Sequence, residues 1–449
     1  METRRTVFRI AMALLLSAAS LASATGRQEA GRTAAKVKLV FWGAIAEEKG
    51  PGEIVAAYMK ENPGVTVEYA TYVNNDQGNV KLDTALLAGE KIDVFTTYGT
   101  TFRERRVNAR LTADITAACR KLDIDVVRDF GADAADNIVD GKVYSIPTTM
   151  LVNLIAVNKD MFDRAGIPIP KDWTWDQLAA VAAKLTRGEG ASKVYGILRD
   201  YNNMFPQAMV ATKLDKTADF SEDLSRGTWT ENKDLRRAFQ ILHDMMYKDK
   251  SLIAYEDMLA QKMTDSNTLA TAFLSGRGAM MFTGSYMLRN LKDATAFPRD
   301  FVIGFAPIPK MDADQKVYYR DSSHNDFMMV GARSDVPEES VRFIQWYATV
   351  GYGPMIKGGR LPLYAKYDSR KASELITFGA EKLLDGPSFA SILAPTPYQQ
   401  KPKPGTTKYA AVLDKVYREE QEAYFLGKQD LDATLRNLQK RYDEVLKQK

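Results

Sequence analysis

Val37-Lys38-Leu39-Val40-Phe41-Trp42, Val65-Thr66-Val67-Glu68-Tyr69 and Ile92-Asp93-Val94-Phe95 are three short apolar segments, and what lies between them decides the fold. Between the first two, Glu53 to Asn62 sets Ile54, Val55, Tyr58 and Met59 on one helical face and stops at Pro63-Gly64. Between the last two, Val80 to Ala88 reads as a second helix. Strand, helix, strand, helix, strand at this spacing predicts βαβ units and a parallel sheet.

The pattern continues outward from there. After Pro147, Leu151 to Val157 is an apolar strand, and Thr174-Trp175-Asp176-Gln177 has the form of a capping box. Trp175, Leu178, Ala179, Ala182 and Leu185 follow at helical spacing. Further strands are expected at Val194–Leu198, Ala279–Phe282, Phe301–Ala306 and Phe327–Gly331. The chain closes on helical periodicity through Leu431, Leu435, Leu438, Tyr442 and Val445. No internal repeat or low-complexity segment is present, so the class is α/β.

A chain of 449 residues has room for two or three domains, each with a core of its own. Residues 1–24 carry Arg4, Arg5 and Arg9 ahead of the uncharged apolar run Ile10–Leu21, and Ala22-Ser23-Ala24 fits the small-residue cleavage pattern. A signal peptide over residues 1–24 is therefore expected, with a flexible lead-in over 25–35. The apolar run is short for a membrane span, which needs about 20 residues. Half of the formal charge of +4 sits in this segment, because Glu2 is its only acid. A remainder so nearly balanced points to neither nucleic acid nor a membrane surface as partner. The one cysteine, Cys119, excludes an intrachain disulfide and a cysteine-based metal cluster. No cysteine lies near the cleavage point for lipid attachment, so a soluble periplasmic or extracellular protein is expected.

Catalytic signatures are few. The two histidines, His243 and His324, form no zinc-ligand pattern, and neither a Gly-x-Ser-x-Gly elbow nor a phosphate-binding loop occurs. Gly276-Arg277-Gly278 lacks the third glycine of a dinucleotide loop and precedes a strand. His243 lies in the apolar helical run of Phe239, Leu242 and Met246, the setting of a structural histidine. Neither a catalytic residue, a metal site nor a cofactor is expected. A carboxylate pair serving a glycosidase remains open, since no pattern singles one out or excludes it.

Aromatic placement is more informative. Trp42 closes the first strand, Tyr98 follows the third, and Tyr286 follows Ala279–Phe282 across Thr283-Gly284-Ser285. Ligands of open α/β sheets sit beyond the carboxyl ends of the strands. A pyranose suits such rings, because its C–H face packs on them while its hydroxyls seek polar edges. About 50–100 Å² of apolar contact contributes roughly 1–3 kcal/mol.

Several blocks together resemble the family 1 extracellular solute-binding proteins of ABC importers, the group that includes maltose-binding protein. They are Phe41-Trp42-Gly43, Tyr58 to Val65, Ala88 to Val94, Gly141 to Pro147, Val157 to Phe162, Ala165-Gly166-Ile167, Trp173 to Asp176, Phe273 to Met281, and Gly284-Ser285-Tyr286. Each is weak alone; their order spans nearly the whole chain. The resemblance implies a two-lobed periplasmic-binding-protein clamshell with mainly parallel sheets. Its crossings are expected near 146–150, 306–310 and 351–358, giving lobe one as 36–147 plus 308–351 and lobe two as 148–307 plus 352–449. It implies a monomeric, non-enzymatic protein that captures a mono- or oligosaccharide and works with ABC importer membrane subunits. Family position and chemistry nominate Trp42, Tyr98 and Tyr286 for stacking, with Trp229 as a further aromatic candidate. Asn202, Asn203, Asp321, His324 and Asn325 are nominated for hydroxyls, and Arg360 for a hydroxyl or carboxylate. Where relatives commonly carry Trp in the Gly-Ser-Tyr block this chain has Tyr286, which leaves the ligand's size open. Two alternatives stand beside this reading: an exported glycosidase or lyase, and a binder of a polyamine or peptide. A polyamine needs several carboxylates, and only Asp93 and Asp321 fall near the expected cleft.

Overall fold

The computed structural model describes residues 37–199, 206–210, 212–213, 219–221, 223, 225–263, 266–318, 322–393 and 410–447. Strand β1 (Val37–Gly43) runs parallel to β2 (Val65–Thr71) on one side and to β3 (Val94–Thr97) on the other. Helix α1 (Pro51–Glu61) makes the first crossover and buries Ile54, Val55 and Tyr58, each such side chain contributing about 1.5–3 kcal/mol. Helix α2 (Asp76–Ala88) makes the second; Asn75 caps it by accepting from the Gly78 amide at 2.8 Å. Gly89 ends it at φ 78°, a left-handed conformation that glycine adopts without a Cβ penalty. Helix α3 (Thr100–Asn108) leaves from the end of β3. A small hairpin of β4 (Ile138–Val139) and β5 (Lys142–Val143) precedes the segment that joins the molecule together.

That segment is β6 (Ile146–Asn158), thirteen residues long. Beyond it come β7 (Tyr195–Leu198), β8 (Gly278–Gly284), β9 (Ile303–Ala306), β10 (Ser322–Val330) and β11 (Leu361–Pro362). The first half of β6 lies antiparallel to β10, with Val152 opposite Ser322, and to β11, with Met150 opposite Leu361. From Asn153 onward its neighbours are β8 and β9 instead. The strand order is β2-β1-β3-β10-β6-β8-β7, and β6 belongs to both parts of it. The outer parts are parallel, β2-β1-β3 at one end and β8-β7 at the other, as βαβ crossovers require. The returning strands enter antiparallel between them.

The capping box at Thr174 and Gln177 forms as expected at the start of the helix Trp175–Leu185. Other boundaries shift in informative ways. The strand expected at 151–157 begins at Ile146, because it continues from one sheet into the next. The strand expected at 327 begins at Ser322, since its polar first residues pair with Leu151 and Val152. Leu361 and Pro362 pair with Met150 and Thr149 in the first half of β6. The C-terminal helices Ala410–Phe425 and Leu431–Leu446 pack on the helix Lys233–His243, with Phe239 and Tyr424 ring centroids 5.6 Å apart. None of the described helices is long and apolar enough to cross a membrane. The expected signal peptide lies outside the described residues.

Candidate functional site

The strand ends of the first sheet are tied down by tyrosines. The Tyr98 hydroxyl accepts from the Ala44 amide at 3.0 Å, joining the exits of β1 and β3. Tyr69 donates to the Ile45 carbonyl at 2.6 Å, and Tyr72 to the Thr96 carbonyl at 2.8 Å. At Gly43 an added Cβ would meet the Tyr69 hydroxyl at 2.5 Å, so a larger residue there would displace that ring. Burial pushes the Tyr98 phenol well above its usual pKa, and the nearby Asp326 carboxylate adds to the shift. It stays neutral and bonded to backbone across the physiological range.

Asp326 is the centre of this network. It sits on β10 in the left-handed region at φ 52° and is 2% exposed. Its Oδ2 accepts from the Thr149 hydroxyl at 2.9 Å and lies 3.4 Å from Arg360 Nε, and its carbonyl accepts from Thr148 at 2.9 Å. Thr149 is also bonded to the buried Tyr352 hydroxyl. The Asp326 Oδ1 atom is buried and has no hydrogen-bond partner among the described residues. A non-glycine residue in this backbone region with an unsatisfied buried oxygen carries a cost that surrounding structure must hold in place. Beside it, the Asn325 side-chain oxygen accepts from the Asp326 amide at 2.8 Å and from the Gly99 amide at 2.9 Å. This closes the turn from β3 into α3.

Arg360 follows Gly359, whose φ of 91° favours glycine and whose added Cβ would stand 2.7 Å from the Arg289 amide nitrogen. Burial opposes the Arg360 charge most, but Asp326 together with Tyr98, Tyr352 and Tyr347 outweighs it and raises the pKa. Arg289 lies on the short helix Leu288–Leu291 after β8. Burial lowers its pKa and Arg360 lowers it further, while Asp326, Tyr98 and Tyr286 act in the opposite sense. These five groups therefore share one electrostatic neighbourhood. Tyr286 is half-buried, its ring lying over Gly284, where a Cβ would come within 2.6 Å of Cε1.

Tyr98, Tyr286 and Arg360 thus lie in one neighbourhood with Asp326 and Arg289, which the sequence did not single out, and Asn325 is bonded to the Asp326 amide. His324 is 9% exposed on β10, opposite Met150 of β6. Trp42 alternates away from buried Phe41 and is half-buried, with Lys81 Nζ 5.9 Å from its ring. Trp229 is fully buried, between Tyr417 at 5.7 Å, Tyr442 at 5.3 Å and Phe239 at 6.4 Å, and has no surface to offer a solute. Helices from the far end of the chain cover it. Asp93 needs a similar correction. It precedes β3, at the end opposite the crevice, and is consumed by the Val40 amide (2.9 Å) and the Ser334 hydroxyl (2.7 Å). Asn202, Asn203 and Asp321 lie outside the described residues. Among the described residues no group of three or more His, Cys, Asp or Glu side chains is placed to hold a metal ion.

A family model for bacterial extracellular solute-binding proteins matches residues 44–354, from the exit of β1 to beyond β10. The chain belongs to that family. Among curated relatives, this solute-binding protein is 26% identical over 287 residues to YcjN of Escherichia coli (strain K12), provisionally named an ABC transporter periplasmic-binding protein. The match covers 61% of each chain, so this protein spans under two thirds of that relative's length. A Brucella abortus (strain 2308) protein provisionally named a binding protein is 28% identical over 148 residues, covering 32% of this chain and 34% of its own. Similar solved structures cover far more. A sugar transporter of Rhizobium etli in an open conformation matches with a TM-score of 0.69 at 20% identity, over 92% of this chain and 100% of that one. An ABC substrate-binding protein of Listeria monocytogenes in complex with cycloalternan gives 0.69 at 21%, over 92% and 100%. The sugar-binding protein MalE of Xanthomonas citri gives 0.66 at 21%, over 92% and 98%. The solute-binding protein thus has the α/β, two-lobed fold of periplasmic binding proteins, with β6 passing from one sheet to the next.

Proposed function

We propose that this protein captures a carbohydrate in the crevice beside Tyr98, Tyr286, Asp326 and Arg360 and delivers it to the membrane subunits of an ABC importer. The observation that carries the reading is the convergence of ring surface and fixed hydrogen-bonding groups at strand ends, in a chain of the solute-binding family. Tyr286 offers a half-exposed ring. Asp326 keeps one buried oxygen without a partner among the described residues, and Arg360 brings a guanidinium oriented by that same carboxylate. Such a set takes both the apolar face and the hydroxyl edge of a sugar. The sugar-related descriptions of the Rhizobium, Listeria and Xanthomonas structures support the same class.

On this reading residues 1–24 are an export signal and the protein works outside the cytoplasm as a monomer. Solute touching both lobes binds the closed form better and shifts the population toward it. A thermal-shift screen of the mature protein against mono- and oligosaccharides, polyamines and amino acids tests the assignment. A sugar at 100 times its Kd should add about 2.7 kcal/mol of stability. A melt that responds to polyamines or amino acids and to no sugar overturns it.

A further inference from the structure

A cavity of about 360 Å³ opens beside the crevice, between the turn Glu47–Lys49 with the start of α1, the helix Leu288–Leu291, and the helix Gly353–Lys357. Its charges are mostly paired. Lys49 faces Asp293 at 4.0 Å, Lys357 faces Glu53 at 3.6 Å, and Arg360, next to the cavity, faces Asp326 at 3.4 Å. Glu48 projects from the exposed rim. Two half-buried bases are left over. Lys292 donates to the Lys357 carbonyl at 2.9 Å; burial lowers its pKa, and the Glu381 carboxylate acts in the opposite sense. Arg289 donates through Nε to the Asn290 side-chain oxygen at 3.3 Å and makes no ion pair among the described residues.

Arg289 is not a loose surface arginine. Its backbone is pressed against Gly359, and the neighbouring Arg360 charge works against its own. A guanidinium remains ionised in a protein; Asp326, Tyr98 and Tyr286 act against this repulsion, and an anion in the cavity would act with them. Arg360 cannot be relieved at Asp326's expense, because that carboxylate is 2% exposed and already engaged.

We propose that the crevice selects a solute bearing an anionic group, received by Arg289 with Lys292 beside it; on a carbohydrate the group is the carboxylate of a uronic acid. This rests on the carbohydrate reading above and narrows it. A planar carboxylate matches the guanidinium fork with two parallel hydrogen bonds, a geometry that the hydroxyls of a neutral sugar do not reproduce.

Calorimetric titration of the mature protein with matched pairs, glucuronate against glucose and digalacturonate against galactobiose, together with inorganic phosphate, tests the assignment. The uronate of a pair should bind at least about tenfold tighter than its neutral parent at low salt, with the preference shrinking as salt is added. Arg289→Gln should cost the uronate roughly thirtyfold in affinity, and Arg289→Lys should restore part of it. Near-UV circular dichroism establishes that both variants are folded. Neutral parents binding as tightly as uronates, or a folded Arg289→Gln that keeps full uronate affinity, would overturn the anionic assignment and leave the carbohydrate reading standing. Phosphate binding without any sugar, or no response to any sugar, overturns both.

Discussion

Trp42 and Trp229 both stand near turns in the sequence, and the fold uses them in opposite ways. Trp42 ends a strand and keeps part of its ring in the open, with Lys81 beside it. Trp229 is enclosed by Tyr417 and Tyr442, which lie on helices that arrive almost two hundred residues later. The strand-end region is built from backbone tied by single hydroxyls, with polar groups left over. The C-terminal region is built from interlocking rings and spends its aromatic surface on packing. Aromatic residues thus mark a binding surface only where no later element returns to cover them.

That contrast can be broken experimentally. Trp229→Ala should have the largest effect on stability, about 3–5 kcal/mol, because it empties a packed site. Denaturant unfolding measures it, and a loss under 1 kcal/mol would mean that the ring is not held as described. Arg360→Ala should cost about 3 kcal/mol by leaving the Asp326 carboxylate buried without its ion partner. Adding Asp326→Asn to it should recover most of that loss, which separates the charge effect from lost packing. Trp42→Ala should cost only about 1–2 kcal/mol in the same unfolding assay. If Trp42 reaches the solute, calorimetry should also show a roughly tenfold weaker affinity for the best sugar, and an unchanged affinity would remove it from the site.

The smallest effect lies in neither region. Asp312 accepts from Lys213 at 2.7 Å and from Arg237 at 2.8 Å, and the Lys213 hydrogen bond is the main cause holding its pKa below the usual carboxylate value. A depressed native pKa stabilises fully above the unfolded value of about 4, and the benefit is lost as pH falls through the native value. Asp312→Asn should therefore cost about 0.5–1 kcal/mol at pH 7, with the gap closing below about pH 4. A gap that persisted unchanged at pH 2.5 would show that the ion bridge is not its source.

Much of the fold was readable because apolar periodicity is local. The strands at 37, 65 and 92 and the helices between them carry their pattern within a few residues, and the Thr174 capping box is likewise contained in four. The start of β10 was not readable: Ser322, Ser323, His324 and Asn325 have no apolar alternation, and what makes them a strand is the backbone of β6. The site was legible in the same uneven way. Tyr98, Tyr286, Asn325 and Arg360 could be nominated from strand ends and the glycine cluster. Asp326 and Arg289 could not, because a buried charge and a surface charge are the same letter until the fold closes over one of them. Asp93 was misjudged for the mirror reason. Its place near a strand was clear, but which end of the strand, and which amide it serves, were not.

The shared strand β6 has a consequence for how the molecule is made. The turn after β3 is secured by Asn325, 226 residues further along the chain, and β6 cannot complete its pairing until β10 has also been synthesised. Contacts of such long range demand a large loss of chain entropy before they return any stability, which slows folding. The first sheet therefore cannot be completed before β10 has been made. A nascent chain of this design stays threadable until late.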